Sequence, residues 1–217
     1  MGSSIPKQYL MLGEQRVVEH AIGRLLFHPR ISGVWVAVAP GDAWWAETRL
    51  AAHPGVRVTA GGSERAHSVL RALDSLAAEA ADEDWVLVHD AARPCLTTED
   101  IDKLVETVSD DAVGGVLGVR VLDTIKHVDA SGRVDSTVPR DGLWRAFTPQ
   151  MFRLGPLRRA LADAVDEGIL VTDEASAMEL GGCRPRMVEG RPDNIKVTRP
   201  ADLPLAAFYL RQQEGAC

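Results

Sequence analysis

Apolar residues in this chain recur at helical spacing, then in short continuous β-rich runs, and the two patterns alternate from about residue 17 to residue 119. Repeated switching between a period near 3.6 and strand-like runs restricts a chain to βα units, in which helices cover both faces of a mostly parallel sheet. Val17/Val18, Ala21/Ile22 and Leu25/Leu26 stack four apart, which predicts a helix. Val34 to Val38 follows as a buried strand ended by Pro40-Gly41. Val56-Arg57-Val58 runs into Gly61-Gly62, and Val69, Leu70, Leu73, Leu76 and Ala77 then form one helical stripe. Trp85 to Val88 is the next strand, the helix after it carries Ile101, Leu104, Val105 and Val108 with Thr97 as N-cap, and Val113 to Val119 is a further strand. With 217 residues, 46% of them apolar, and no linker or repeat, one domain spanning residues 1–217 is expected.

From 120 to 143 the rhythm breaks. Asp123 to Val128 and Arg133 to Val138 have strand character and flank Asp129-Ala130-Ser131-Gly132, a hairpin with few large apolar groups. Such an arm is either a solvated surface feature or a protrusion that pairs with a second subunit. A net charge of -7 argues against a nucleic-acid surface. No apolar run is long enough to cross a bilayer. Cys95, Cys183 and Cys217 have spacings that fit neither a disulfide framework nor a zinc site, so the expected setting is a reducing cytoplasm.

Ligands of open α/β sheets sit at the carboxyl ends of the strands, and three polar stretches fall there. Gly61-Gly62-Ser63-Glu64-Arg65 leads into a helix, where glycines admit close backbone approach and free amides attract anions; a plain turn has the same spelling. His89-Asp90-Ala91-Ala92-Arg93-Pro94 sets a carboxylate and a guanidinium three apart, suited to magnesium and to phosphate or ribose oxygens, or to a salt bridge that merely fixes the turn. In Arg191 to Thr198, Ile195 and Val197 face the core while Lys196 faces away, Asp193 is a second candidate magnesium ligand, and Lys196 is a fixed charge near a transferring phosphoryl group.

Pro6-Lys7-Gln8-Tyr9-Leu10, these three stretches, Thr148-Pro149-Gln150 and Thr172-Asp173-Glu174-Ala175-Ser176 follow one another in an order that closely resembles the 2-C-methyl-D-erythritol 4-phosphate cytidylyltransferase family, from Pro6 to about Leu210. The resemblance implies a Rossmann-like α/β fold with a protruding hairpin dimerisation arm, and the transfer of CMP from CTP to methylerythritol phosphate with release of pyrophosphate. It makes Lys7 and Lys196 the cations of the transition state, with Asp90 and Asp193 beside magnesium and the reacting groups. Gly61, Gly62, Ser63, Ser68 and Arg93 fall at the nucleotide. Thr124 and Arg140 are expected to reach from the arm into the partner's site of a homodimer, and Thr172 to serve its own.

The family pattern also carries a buried strand and a glycine- and arginine-rich loop ahead of the first lysine, about 20 residues by the usual lengths of such elements. Only Met1 to Ile5 stand before Pro6 here, so two unpaired strand edges are expected in the sheet. Ser63 and His67 stand where other members carry acidic residues. Ribitol-phosphate cytidylyltransferases share the same turns, and a protein that binds nucleotide without turning it over is the reading of another class. A glycosyltransferase would be expected to carry an Asp-x-Asp metal motif after a strand; Asp82-Glu83-Asp84 has that spelling but precedes Trp85.

Overall fold

The structure is a computed structural model and describes residues 5–215. The expectation attached to Met1 as a starting point lies outside the described residues. After a 3-10 turn at Lys7–Tyr9 come β1 (Met11–Leu12), β2 (Gln15–Arg16), α1 (Val17–Leu26), β3 (Val34–Val38), β4 (Val56–Ala60) and α2 (Arg65–Leu76). They lead to β5 (Trp85–Val88), α3 (Thr98–Val108), β6 (Gly114–Arg120), the hairpin strands β7 (Ile125–Val128) and β8 (Val134–Val138), and the long β9 (Trp144–Arg153). The chain closes with α4 (Leu154–Asp166), α5 (Glu174–Leu180), β10 (Arg186–Glu189) and α6 (Asp202–Glu214).

The main sheet has the order β10-β6-β9-β5. β10 is parallel to β6, whereas β9 runs antiparallel to both β5 and β6, so the sheet is mixed with one reversed strand. β6 shows why both faces are covered. Val116 packs with Phe152, Leu154, Leu157, Leu161 and Met178, while the next residue, Leu117, packs on the other face with Ile101, Leu104, Val108 and Met151. Adjacent strand residues point to opposite faces, so a fully buried strand must be apolar at consecutive positions, as Gly114 to Val119 is. Helices α1 and α3 thus lie on one face and α2, α4 and α5 on the other. Thr97 caps α3, its hydroxyl accepting from the Asp100 amide at 3.2 Å.

β3 and β4 pair in parallel, from Val34–Val56 to Val38–Ala60, but form a separate sheet. Among the described residues no strand pairs with the edges of β3 and β5 that face each other, as the sequence led us to expect. Between them runs an apolar slot of about 640 Å³, walled by Val36 and Leu87 along the edges, by Ile22 of α1 and by Leu73 of α2. The hairpin also forms as expected, with β7 and β8 antiparallel and a tight turn in which Gly132 takes φ +81°. Ile125, Val128 and Val134 on it are exposed.

Gly114 takes φ +126°, and a Cβ there would lie 2.2 Å from the Met151 carbonyl oxygen of the neighbouring strand. Gly114→Ala is therefore expected to cost about 2–4 kcal/mol of unfolding free energy, read from urea denaturation, because it adds both backbone strain and a clash in the central ladder.

Candidate active site

β4, β5 and the stretch after Arg191 deliver their polar turns to one place. His89 and Asp90 follow β5, and Asp90 is the centre of a cation cluster. Arg65 Nε donates to Asp90 Oδ1 at 3.2 Å, while Lys196 Nζ and Arg93 Nε reach Oδ2 at 3.0 and 3.3 Å. Burial alone would raise the pKa of Asp90; Arg65, Lys196 and Arg93 more than reverse this and hold the carboxyl well below the usual carboxylate range. Three positive groups around one carboxylate leave the site with excess positive charge, the local grip on an anionic substrate that a net-acidic chain needs.

His89 is partly exposed, and desolvation of its ring lowers its pKa to about 4. Its Nε2 lies 3.0 Å from the Arg93 carbonyl oxygen, which can only accept, so Nε2 carries the proton. The Thr148 hydroxyl then donates to Nδ1 at 3.0 Å and accepts from the Asp90 amide at 2.9 Å. On the same strand, Thr148 O accepts from Asn194 Nδ2 at 2.9 Å, and Gln150 binds the Ala175 amide and the Asp173 carboxylate, both at 2.8 Å. The peptide bond between Thr148 and Pro149 is cis.

The lysine-bearing stretch 191–198 opens on a turn, with Asn194 N bonded to Arg191 O at 3.3 Å, and forms no strand. Val197 N bonds Ala92 O at 2.8 Å, Val197 is fully buried, and Lys196 points out, so the alternation read from the sequence holds without a strand. Arg93 Nη1 donates to Asn194 O at 2.8 Å and ties this stretch to the turn after β5. The salt bridge between Arg93 and Asp90 and the cation cluster are thus one arrangement.

Gly61, Gly62 and Ser68 line a cavity of about 220 Å³ together with Gln8, Tyr9 and Ala91. Gly62 N donates to Ser68 Oγ at 3.0 Å, and Ser68 donates in turn to Glu64 O at 3.0 Å. A Cβ on Gly62 would meet His67 Cβ at 2.3 Å, so the second glycine is required by the close packing of turn and helix. Ser63 Oγ faces His67 Nδ1 at 2.9 Å.

The remaining expected residues are dispersed. Lys7 opens the 3-10 turn beside that cavity and makes no ion pair among the described residues. Asp193 is buried and held by Arg191, from Nε at 3.0 Å and Nη2 at 2.6 Å, so it does not join Asp90 in one cluster. Thr124 and Arg140 are exposed on the arm, where Arg140 Nη1 donates to Leu122 O. Thr172 is exposed just before α5, but its hydroxyl is not the cap: Asp173 Oδ1 accepts from the Ser176 amide at 2.9 Å and Ser176 Oγ reciprocates.

Two groups in the site had no role in the sequence reading. Arg65 directs Nη1 and Nη2 at Glu174, at 2.6 and 2.9 Å, while its Nε holds Asp90. Glu174 is fully buried. Both residues stand in motifs singled out above, but their 109-residue separation hides the pairing from any local pattern.

The sequence pattern that defines IspD, 2-C-methyl-D-erythritol 4-phosphate cytidylyltransferase, matches residues 1–212. This chain belongs to the IspD family. It is similar to the 2-C-methyl-D-erythritol 4-phosphate cytidylyltransferase of Pseudomonas putida strain W619, at 53% identity over 98% of this chain and 89% of that protein. The Aeromonas hydrophila protein of the same name is 54% identical, over 99% and 86%. Among solved structures, a 4-diphosphocytidyl-2C-methyl-D-erythritol synthase superimposes with TM-score 0.86 at 40% identity, covering 94% of this chain and 95% of that one. The Francisella tularensis 2-C-methyl-D-erythritol 4-phosphate cytidylyltransferase gives 0.85 at 35% identity, covering 94% and 93%. The IspD fold, with helices on both faces of a mixed sheet, is therefore the fold of this chain.

Lys196→Gln removes one of the three cations and leaves Asp90 paired with Arg65 and Arg93. The expected result is a folded protein whose kcat falls by about 10²–10³, the usual cost of losing one electrostatic donor, read by steady-state kinetics beside a melting curve.

Proposed function

We propose that this chain transfers CMP from CTP to 2-C-methyl-D-erythritol 4-phosphate and releases pyrophosphate. The observation that carries the reading is the set of three cations converging on Asp90 at the carboxyl end of β5, in a chain of the IspD family. In the transfer a phosphate oxygen of the second substrate attacks the α-phosphorus of CTP in line. One P–O bond forms as the bond to the bridging α–β oxygen breaks, and the electron pair leaves with pyrophosphate. No side chain has to act as nucleophile; the protein positions two anions and offsets the charge that builds on the equatorial oxygens.

In this reading Lys196 and Lys7 supply fixed positive charge, and Asp90 holds Lys196 in place through its Oδ2 contact. Arg93 lies beside the nucleotide, while the Gly61-Gly62 turn, Ser63 and Ser68 take the cytosine side through the 220 Å³ cavity. Thr172 takes the second substrate. A magnesium ion at Asp90 would share the carboxylate with Arg65, Arg93 and Lys196 and fill its shell with phosphate oxygens and water, and it would neutralise charge on the triphosphate. Asp193, the other carboxylate of the family pattern, is likewise held by a cation, Arg191.

The arm supports a homodimer. Leu122, Ile125, Val128 and Val134 are exposed on it, and a twofold mate would bury them while carrying Thr124 and Arg140 into the neighbouring site. The setting we propose is the cytoplasm, where the unpaired Cys95 and Cys183 stay reduced. The family match favours methylerythritol phosphate over ribitol phosphate as acceptor.

Pyrophosphate release is expected only when CTP, magnesium and methylerythritol phosphate are all present; a protein that binds CTP but releases none, or that prefers ribitol phosphate, would overturn the reading. Arg140→Ala is expected to raise the KM for methylerythritol phosphate at least about tenfold while leaving that for CTP within about twofold, and equal effects on both would remove the arm from the site.

A further inference from the structure

We propose that Arg65, clamped by the buried carboxylate of Glu174, is the positioning residue that sets the orientation of Asp90 and holds the nucleotide side of the site to the acceptor side. The proposal rests on the cytidylyl-transfer reading above for the reaction, and on the contacts below for the geometry.

Arg65 is the first residue of α2, which packs against both β3 and α4, and it stands three residues after the Gly61-Gly62 turn. Glu174 is the first residue of α5, two residues after Thr172 and packed against the main sheet. The guanidinium is planar and its donors keep fixed angles to one another, so two donors committed to one carboxylate leave the third a fixed direction. Here Nη1 and Nη2 are committed to Glu174, and Nε points at Asp90 Oδ1. Asp90 therefore turns Oδ2 to Lys196 and Arg93.

The burial of Glu174 argues that the pair serves geometry more than stability. Taking a carboxylate wholly out of water is costly even with an ideal partner, and well-packed neutral residues commonly hold such a site as well or better. Burial raises the pKa of Glu174, against the hydrogen bonds and charge of Arg65. For Arg65 burial opposes the charge, and the hydrogen bond and charge of Glu174, followed by those of Asp90, more than offset it. What a fixed ion pair adds beyond a neutral contact is direction. The apolar packing of α1 and α2 joins β3–β4 to the main sheet without specifying direction at the site, which a tie of this kind does.

Two variants test this in the full chain. Glu174→Gln keeps the shape of the clamp without its charge, and Arg65→Gln/Glu174→Gln replaces the ion pair by an amide pair that leaves no buried charge unpaired. Both are expected to melt within a few degrees of the parent, with kcat lower by about tenfold in the single and about 100-fold in the double variant, and KM for CTP within about threefold, since small misplacements cost rate more than binding. Wild-type kcat in the double variant, or a loss of kcat that follows the melting temperature, would overturn the proposal. Crystal structures of parent and double variant give a readout that needs no turnover: Asp90 should turn away from Lys196 in the variant, and an unmoved carboxylate would sink the clamp. A parent without pyrophosphate release would refute the assigned reaction alone, and the crystal comparison would still decide the positioning role.

Discussion

Thr148 and Gln150 sit in the middle of β9, 3% and 1% exposed, and every polar atom they bring into the sheet has to find a partner there. That requirement organises the site. The partners are not neighbours in sequence but the turns that carry the chemistry: the Asp90 amide and His89 on Thr148 Oγ1, Asn194 on Thr148 O, and Asp173 with the Ala175 amide on Gln150. A buried strand of purely apolar residues would support the same fold and leave those turns unfixed. Leaving one such group unpaired costs about 1–3 kcal/mol, which gives each turn a preferred position before any substrate arrives.

The second organising feature is charge concentrated in a small volume. The chain as a whole is acidic, yet Arg65, Arg93 and Lys196 converge on one carboxylate. Asp90 reduces their mutual repulsion and keeps them within reach of the same point, so a phosphate group meets a fixed array rather than flexible side chains. Arg93 is itself shared between Asp90 and the Asn194 carbonyl, which makes the turn after β5 and the stretch before Val197 one rigid unit.

Much of this was legible in the sequence where the signal was local. The strands Val34–Val38 and Trp85–Val88, the helix stripe ending at Leu76, the cap at Thr97 and the hairpin all follow from period and turn chemistry. The convergence of Asp90, Arg93 and Lys196 was legible because each follows a strand or a buried stretch at the carboxyl edge. The reversed direction of β9 was not, since an apolar run has no sign of its own. Which residue caps α5 was not legible either, since a hydroxyl and an acid compete for that position one residue apart, and it is Asp173 that holds it through Ser176. The stretch around Lys196 alternates as a strand does because Val197 docks on Ala92, without a ladder. The link between Arg65 and Glu174 was invisible because nothing near either residue specifies the other.

The candidate site draws its turns from two different sheets. Two hydrogen-bonded rafts, β3–β4 and β10-β6-β9-β5, carry them, and α1 and α2 pack beside both. The Gly61-Gly62 turn rides on one raft, and Asp90 and Lys196 ride on the other. A nucleotide whose base rests on the first and whose phosphates rest on the second would span both, so its length gauges the separation of the two turns.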